Sequence, residues 1–364
     1  RYIGHMDIAA PWQRLVAVCA LLLAVVAGGF ILHTLSGILL PFVLAGFLSM
    51  VFKPMVHILR SWRIPFPFVM LVVMVISGGA FWLIYFIISL GVDQYNASSA
   101  FYSAQLKTVV SDIERSMGSL LRTVGAKGSF RLDKLLTAEA TTSFATSQVS
   151  TLLTLASDGV MVLLYLLFML SGSEVFPTKI LSAFRGQRGT EVLNLFQTLN
   201  ARVRSYIIVK TGFNIANGVV TWVILEAFGV DFAPLIGLLT FLFHYIPNVG
   251  SIITTIIPAI VYLLQTGSLA QAGVLTVILV VVQNLIGNVI EPKVMGDRLE
   301  LSPVVVLFSL FLWGWMWGIV GMILSVPIMS VIKALLETIP STRPLAVLMG
   351  SGPAEPTSGE APVA

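Results

Sequence analysis

From Phe232 to Ile290 the chain carries no Asp, Glu, Lys or Arg, and after a short charged stretch a second uncharged run extends from Leu301 to Ile332. Runs of this length have no place on a water-facing surface, whereas about 20 apolar residues suffice to cross the ~30 Å hydrocarbon core of a bilayer. The rest of the chain obeys the same constraint. Only 10% of its 364 residues are charged and 57% are hydrophobic, against about 25% charged in an ordinary soluble domain. In lipid every backbone polar group must be satisfied within the protein. The expected fold class is therefore an all-α polytopic membrane protein.

Charge placement gives the orientation. The loop with Lys53, His57, Arg60 and Arg63 contains no acid, and a second loop sets Lys179, Arg185, Arg188, Arg202 and Arg204 against Glu174 and Glu191. The positive-inside rule puts both in the cytoplasm, together with both termini. The formal net charge of +4 is small, so nucleic-acid binding has no support. Cys19 is the single cysteine, which excludes an internal disulfide and a cysteine-built metal site. No H-E-x-x-H, phosphate-binding glycine loop or G-x-S-x-G occurs. The expectation is a protein that is not an enzyme, with no cofactor and no metal.

Residues 1–5 precede Met6 with a Gly-His-Met pattern and read as a tag remnant. Residues 6–92 read as three spans: Leu15 to Leu32, a second run ending at Phe52 with a kink at Pro41, and Ile64 to Val92. Residues 93–148 form a polar insertion. In it Leu106, Val109, Val110, Ile113, Met117, Leu120 and Leu121 recur at helical spacing among charged residues, and a second stretch holds Leu132, Leu135 and Leu136. This amphipathic part reads as a cap lying over a vestibule, or as a packed hairpin or oligomer contact. Residues 149–340 form a C-terminal membrane block of about five spans, including Val149 to Leu170, Ser205 to Phe228 and Gln271 to Ile290. The tail over residues 341–364 is expected to be disordered. The total is about eight transmembrane helices.

Within the long uncharged run, Pro234, Pro247 and Pro258 with Gly237 and Gly250 cut the chain into pieces too short for plain spans. Leu235 to Ile246 suits a broken or re-entrant helix. Such backbone survives at membrane depth only where protein or a water-filled cavity satisfies it, so the break at Pro247 and Gly250 is a cavity candidate. The stretch from Asn288 to Gly296 reads as a hinge loop on the outer side, with Pro292 and Gly296 breaking the helix and Glu291 neutralising Lys293 or gating a polar path.

Two sets of side chains are candidates for chemistry. Asn214, Asn217, His244, Asn248, Gln283, Asn284 and Asn288 sit where apolar residues would be cheaper. Amides both donate and accept, which suits a hydroxylated, uncharged or weakly ionic solute, and they also join helices. Asn284 and Asn288, four apart, share a helix face. The second set is Asp158, Glu226 and Glu291. An intramembrane acid suggests proton or cation coupling, although Asp158 also fits an interfacial helix cap beside Ser157 and Gly159.

Three segments carry a resemblance: Gly287-Asn288-Val289-Ile290-Glu291-Pro292-Lys293-Val294-Met295-Gly296, then Leu301-Ser302-Pro303-Val304-Val305-Val306, then Gly318-Ile319-Val320-Gly321-Met322-Ile323-Leu324-Ser325-Val326-Pro327. With Ile246-Pro247-Asn248-Val249-Gly250 upstream, they resemble the autoinducer-2 exporter family of bacterial inner-membrane permeases. Trp313-Gly314-Trp315 is similar to the subgroup named as autoinducer-2 transporters. The resemblance implies a secondary transporter in lipid exporting a small hydroxyl-rich signal, energised by an ion gradient. It also implies a homo-oligomer, a pentamer being the form to test. Sodium or lithium per proton antiport, with Na+ or H+ as partners, is the alternative. A non-transporting oligomeric scaffold, with the insertion recruiting partners, is the alternative from another class.

Overall fold

The computed structural model describes residues 11–123, 158–173, 175–184, 186–247, 249–295, 301–338 and 341–350. Residues 1–5, the stretch around Leu132 to Leu136, Asn248, Gly296 and residues 351–364 lie outside the described residues; within the expected disordered tail of 341–364, Arg343–Leu348 form a helix instead, with Ala346 buried.

The first two helices, α1 (Pro11–Thr34) and α2 (Ser36–Ser61), form the expected hairpin. A turn through Arg63, at φ 60°, leads into α3 (Phe66–Thr123), a single helix of 58 residues. The expected third span and the first amphipathic stretch are thus one element. No proline or glycine follows Gly91 in it until Gly118, so nothing stops the helix when polarity rises at Asp93. At 1.5 Å per residue it is ~87 Å long and projects far beyond a ~30 Å core.

A dry cluster of Ala45 and Val56 from α2, Val69 and Val73 from α3, and Val162, Leu166 and Leu170 from α4 (Asp158–Gly172) joins these helices. α4 bends by 62° into the short α5 (Phe176–Ala183). α6 (Gln187–Ala227) then runs for 41 residues, so the basic stretch expected as a loop is largely its first turns. Two faces of the bundle follow from these connections. One, the basic face, holds the α2–α3 turn, α5 and the start of α6; the other holds the α1–α2 turn and the end of α6.

The uncharged run after Phe232 folds as a hairpin. α7 (Ala233–Phe243) descends from the face opposite the basic one, the chain turns from His244 through Pro247, and α8 (Val249–Thr266) returns. The return is shown at its root: Gln265, at the end of α8, donates from Nε2 to the Gly229 carbonyl at 2.7 Å and accepts from the Asp231 N–H at 3.1 Å. The break predicted at Pro247 and Gly250 is the tip of this re-entrant unit. Gly250 is obligatory there, since a Cβ would lie 2.0 Å from the Phe243 carbonyl oxygen.

α9 (Leu269–Asn284) then crosses toward the basic face and continues through a π-helical turn, Leu285–Ile290, into α10 (Glu291–Met295). This corrects the expected hinge loop in two ways. Pro292 lies inside helical backbone, because a wide π turn before it displaces the carbonyl with which its ring would clash. Because α7 and α8 return to one face, the segment also ends on the basic side of the bundle, not the outer side.

The last apolar run, α11 (Pro303–Thr338), folds back on itself. Trp317 and Gly318 leave helical geometry, with Gly318 at φ 63°, ψ −147°, a region reserved for glycine. A Cβ on Gly321 would lie 2.0 Å from the Trp313 carbonyl oxygen, a distance impossible along a straight helix. Both arms return to the basic side, where Ser302 N–H donates to the Met349 carbonyl just beyond α12 (Arg343–Leu348). The tip reaches the α1–α2 turn: Trp317 Nε1 donates to the Leu32 carbonyl at 3.2 Å, and His33 stacks on Trp315 at 5.2 Å. Among the described residues, beside the α1–α2 pair, the α7–α8 unit and the folded α11 thus form hairpins entering from opposite faces. Among the described residues six helices are long and apolar enough to cross a membrane, or seven with the bent α4–α5 pair, beside the eight expected.

Candidate functional site

The buried stripe of α6 decides where the site is. Tyr206, Asn214, Asn217, Gly218, Thr221 and Leu225 face inward, and α7 packs along them. Gly218 and Gly237 allow the approach, since a Cβ on either would come within 2.9 Å of the other's carbonyl oxygen. Small residues at a crossing let two backbones come this close in lipid. The amides of α6 are therefore held against the re-entrant hairpin.

At its tip the hairpin meets α6 through hydroxyls and amides. Tyr245 and Thr211 share a hydrogen bond of 2.6 Å. Asn214, oriented to satisfy both ends of its amide, donates to the Lys210 carbonyl and accepts from the Tyr245 N–H, each at 3.2 Å. His244 is buried and donates from Nδ1 to the Thr240 carbonyl at 2.8 Å. From the other side, Gln283 of α9 accepts with Oε1 from Thr255 at 3.1 Å and from Thr254 at 3.3 Å.

Four polar atoms in this region remain without a protein partner: Nδ2 and Oδ1 of Asn217, Nε2 of Gln283 and Nε2 of His244. Asn217 is 1% exposed and Gln283 3%. Leaving such a group unpaired costs ~1–3 kcal/mol, and these four lie on α6, on α9 and at the end of α7.

Just beyond the tip, Lys210 of α6 pairs with Glu291 at 2.5 Å, their side chains only 13% and 11% exposed. Counting along α6 from Ala227, the pair lies ~26 Å from the face opposite the basic one, near the far edge of the apolar core. Of the two roles expected for Glu291, neutralising Lys293 or gating a polar path, the first is corrected: its partner is Lys210, since Lys293 is exposed on the outside of α10. A positive charge in one long helix and a negative one 81 positions later give no local signal of their union.

The predicted residues thus divide. Asn214, Asn217, His244, Gln283 and Glu291 gather around the hairpin tip, with Pro247 and Gly250 shaping it. Asn284 and Asn288 do share a face, and Asn288 Nδ2 donates to Asn284 Oδ1 at 2.7 Å, but both are exposed on the outer side of α9. Asp158 and Glu226 are also exposed, on α4 and α6, apart from the tip. Thr211, Thr240, Tyr245, Thr254 and Thr255 escaped the sequence reading, because single hydroxyls in apolar runs carry no pattern.

Asp231 was also missed. At the root of α7 it accepts from Gln94 Nε2 at 3.1 Å and from the Tyr102 hydroxyl, while Gln94 Oε1 accepts from the Phe232 N–H at 3.1 Å. Phe232 has φ 62°, an uncommon conformation for a bulky residue, so α3 holds the hairpin root in a strained but fixed position.

The sequence matches the model of the AI-2E family transporters over residues 19–341. The chain is 32% identical over 314 residues to the AI-2 transport protein TqsA of Escherichia coli (strain K12), covering 86% of this chain and 89% of that protein. It is similar to YhhT of the same organism, 28% identical over 333 residues, covering 92% and 93%. These similarities extend over most of the chain, which belongs to the AI-2E family of membrane transporters.

Proposed function

We propose that the chain moves a small, uncharged, hydroxyl-rich solute of the autoinducer-2 type across the membrane, binding it where the α7–α8 tip meets α6 and α9. The observation that carries this reading is the set of buried polar atoms of Asn217, Gln283 and His244 that have no protein partner. Amides supply donor and acceptor together, and a neutral imidazole Nε2 accepts; a ring hydroxyl needs one of each. The absence of charge among these three groups favours a neutral solute. The name of the Escherichia coli relative supports autoinducer-2 as the first solute to try.

On the positive-inside rule we take the face with Lys53, Lys179 and Lys293 as cytoplasmic, and export toward the hairpin root as the direction. A homo-oligomer would cover the exposed Asn284–Asn288 pair. The test is purified protein in sealed vesicles loaded with labelled autoinducer-2. Solute efflux above empty vesicles supports the reading; no efflux of it or of related furanoses rejects it. A second reading, proton-coupled cation antiport, is favoured by the buried Lys210–Glu291 pair, in which proton exchange at either group would change the charge of the bundle. That reading requires sodium-dependent proton movement in the same vesicles without added solute.

A further inference from the structure

We infer that a cavity on the basic face, separate from the hairpin tip, is a binding site for an anionic phospholipid. The cavity, of about 590 Å³, lies between α2, α4, α5 and α6, within the ~300–1,000 Å³ of typical ligand pockets. None of its lining residues belongs to the hairpin-tip cluster.

Its wall has two kinds of surface. Lys53 of α2, Lys179 of α5 and Arg204 of α6 all border it, and among the described residues no Asp or Glu does. Among the described residues none of the three has an ion-pair partner. Three cations brought together from three helices without a counter-charge repel one another. A phosphodiester relieves that repulsion, and the Arg204 guanidinium can hold two of its oxygens at once. Gln197 and Asn200, on the same side of α6, supply further donors for a headgroup. Arg204 lies six positions before Lys210, ~9 Å further toward the basic face, which is headgroup depth.

The other surface is apolar and runs along the bundle. Phe42, Gly46 and Met50 form one stripe of α2 at helical spacing, faced by Met169 of α4. Phe42 is 47% exposed, so the stripe opens sideways to the outside of the bundle, where an acyl chain would enter. A soluble phosphate would use the cations and leave this stripe idle. Basic pockets between membrane helices on the cytoplasmic side are suited to anionic headgroups in this way.

The experiment is native mass spectrometry of the full-length protein in detergent, titrated with phosphatidylglycerol and, in parallel, with phosphatidylcholine of the same chains. Phosphatidylglycerol should bind at least tenfold tighter. Each of Lys53→Gln, Lys179→Gln and Arg204→Gln should weaken it about fivefold, the effect of one cation near a membrane surface, while Lys293→Gln, which removes a basic residue away from the cavity, leaves it unchanged. Met50→Trp should fill the apolar stripe and displace the lipid with all cations intact, and far-ultraviolet circular dichroism checks that each variant is folded. Equal binding of the two lipids, or wild-type phosphatidylglycerol binding in the triple cation variant, overturns the inference. Competition by glycerol 3-phosphate as effective as by the whole lipid also overturns it, assigning the site to a soluble phosphate.

Discussion

Breaking the Lys210–Glu291 pair one side at a time, and then on both sides, measures how deeply this junction of α6 and α10 is withdrawn from water. At 2.5 Å and an effective dielectric constant of ~20, the gross attraction is ~7 kcal/mol. Desolvation of the two ions offsets several kcal/mol of this for each ion, so the intact pair contributes little net stability. Removing one partner leaves the other charge buried and uncompensated, at a cost of ~3–5 kcal/mol. Glu291→Gln and Lys210→Met should therefore each destabilise strongly, whereas the double variant should recover to within ~1 kcal/mol of wild type. Reversible unfolding in mixed micelles gives the three values, and the cycle gives the coupling. Single losses below ~1 kcal/mol that simply add would show a solvated pair and refute the burial reasoning. Flux measured on the same variants separates the roles: a double variant that is stable yet inactive assigns the charges to transport, and one that is stable and active assigns them to bracing.

Further outcomes follow from the geometry. Gly321→Ala forces a Cβ against the Trp313 carbonyl at 2.0 Å and should cost ~2–3 kcal/mol, while Gly273→Ala in α9, where a Cβ meets nothing within 4 Å, should be neutral or slightly stabilising; thermal unfolding of the pair of variants checks this. Asp231→Ala leaves Gln94 and Tyr102 without their acceptor and should cost ~1–3 kcal/mol, read as faster hydrogen exchange at the root of α7. With Cys19→Ser as background, Lys293→Cys should react with a membrane-impermeant maleimide from the same side as Lys53→Cys and from the opposite side to Asp231→Cys; labelling of 293 together with 231 would contradict the return of α8.

How much of this was legible in the sequence depended on whether the signal was local. The uncharged run and its prolines announced a re-entrant unit, and the break at Pro247 and Gly250 is its tip, because both residues act on the backbone where they stand. The same logic failed at Pro292. A proline after charged Glu291 reads as a loop, but a π turn six residues long accommodates it, and backbone register cannot be read from side-chain type. The hinge was also placed on the outer side, whereas the return of α8 to the face that α7 left brings Glu291 to the basic side. Gly318 shows a quieter case: no charge or proline marks the middle of the run from Leu301 to Ile332, yet the helix folds back on itself there. Of the amides, those on α6 and Gln283 face the hairpin while Asn284 faces outward, a distinction of one residue that an all-apolar helix, having no polar face to orient it, does not reveal. The Lys210–Glu291 and Asp231–Gln94 partnerships are long-range and left no trace in spacing.

The account rests on the claim that unpaired amides at the hairpin tip hold the solute. Efflux of labelled autoinducer-2 from vesicles containing Asn217→Leu, compared with Asn284→Leu and wild type, tests it most directly. Because Asn217 has two unpartnered atoms in the interior, leucine should leave stability equal or improved while efflux falls at least tenfold, and Asn284→Leu should transport as wild type does. Wild-type efflux in Asn217→Leu, or a loss confined to Asn284→Leu, would place the path on another surface of the bundle and contradict the account.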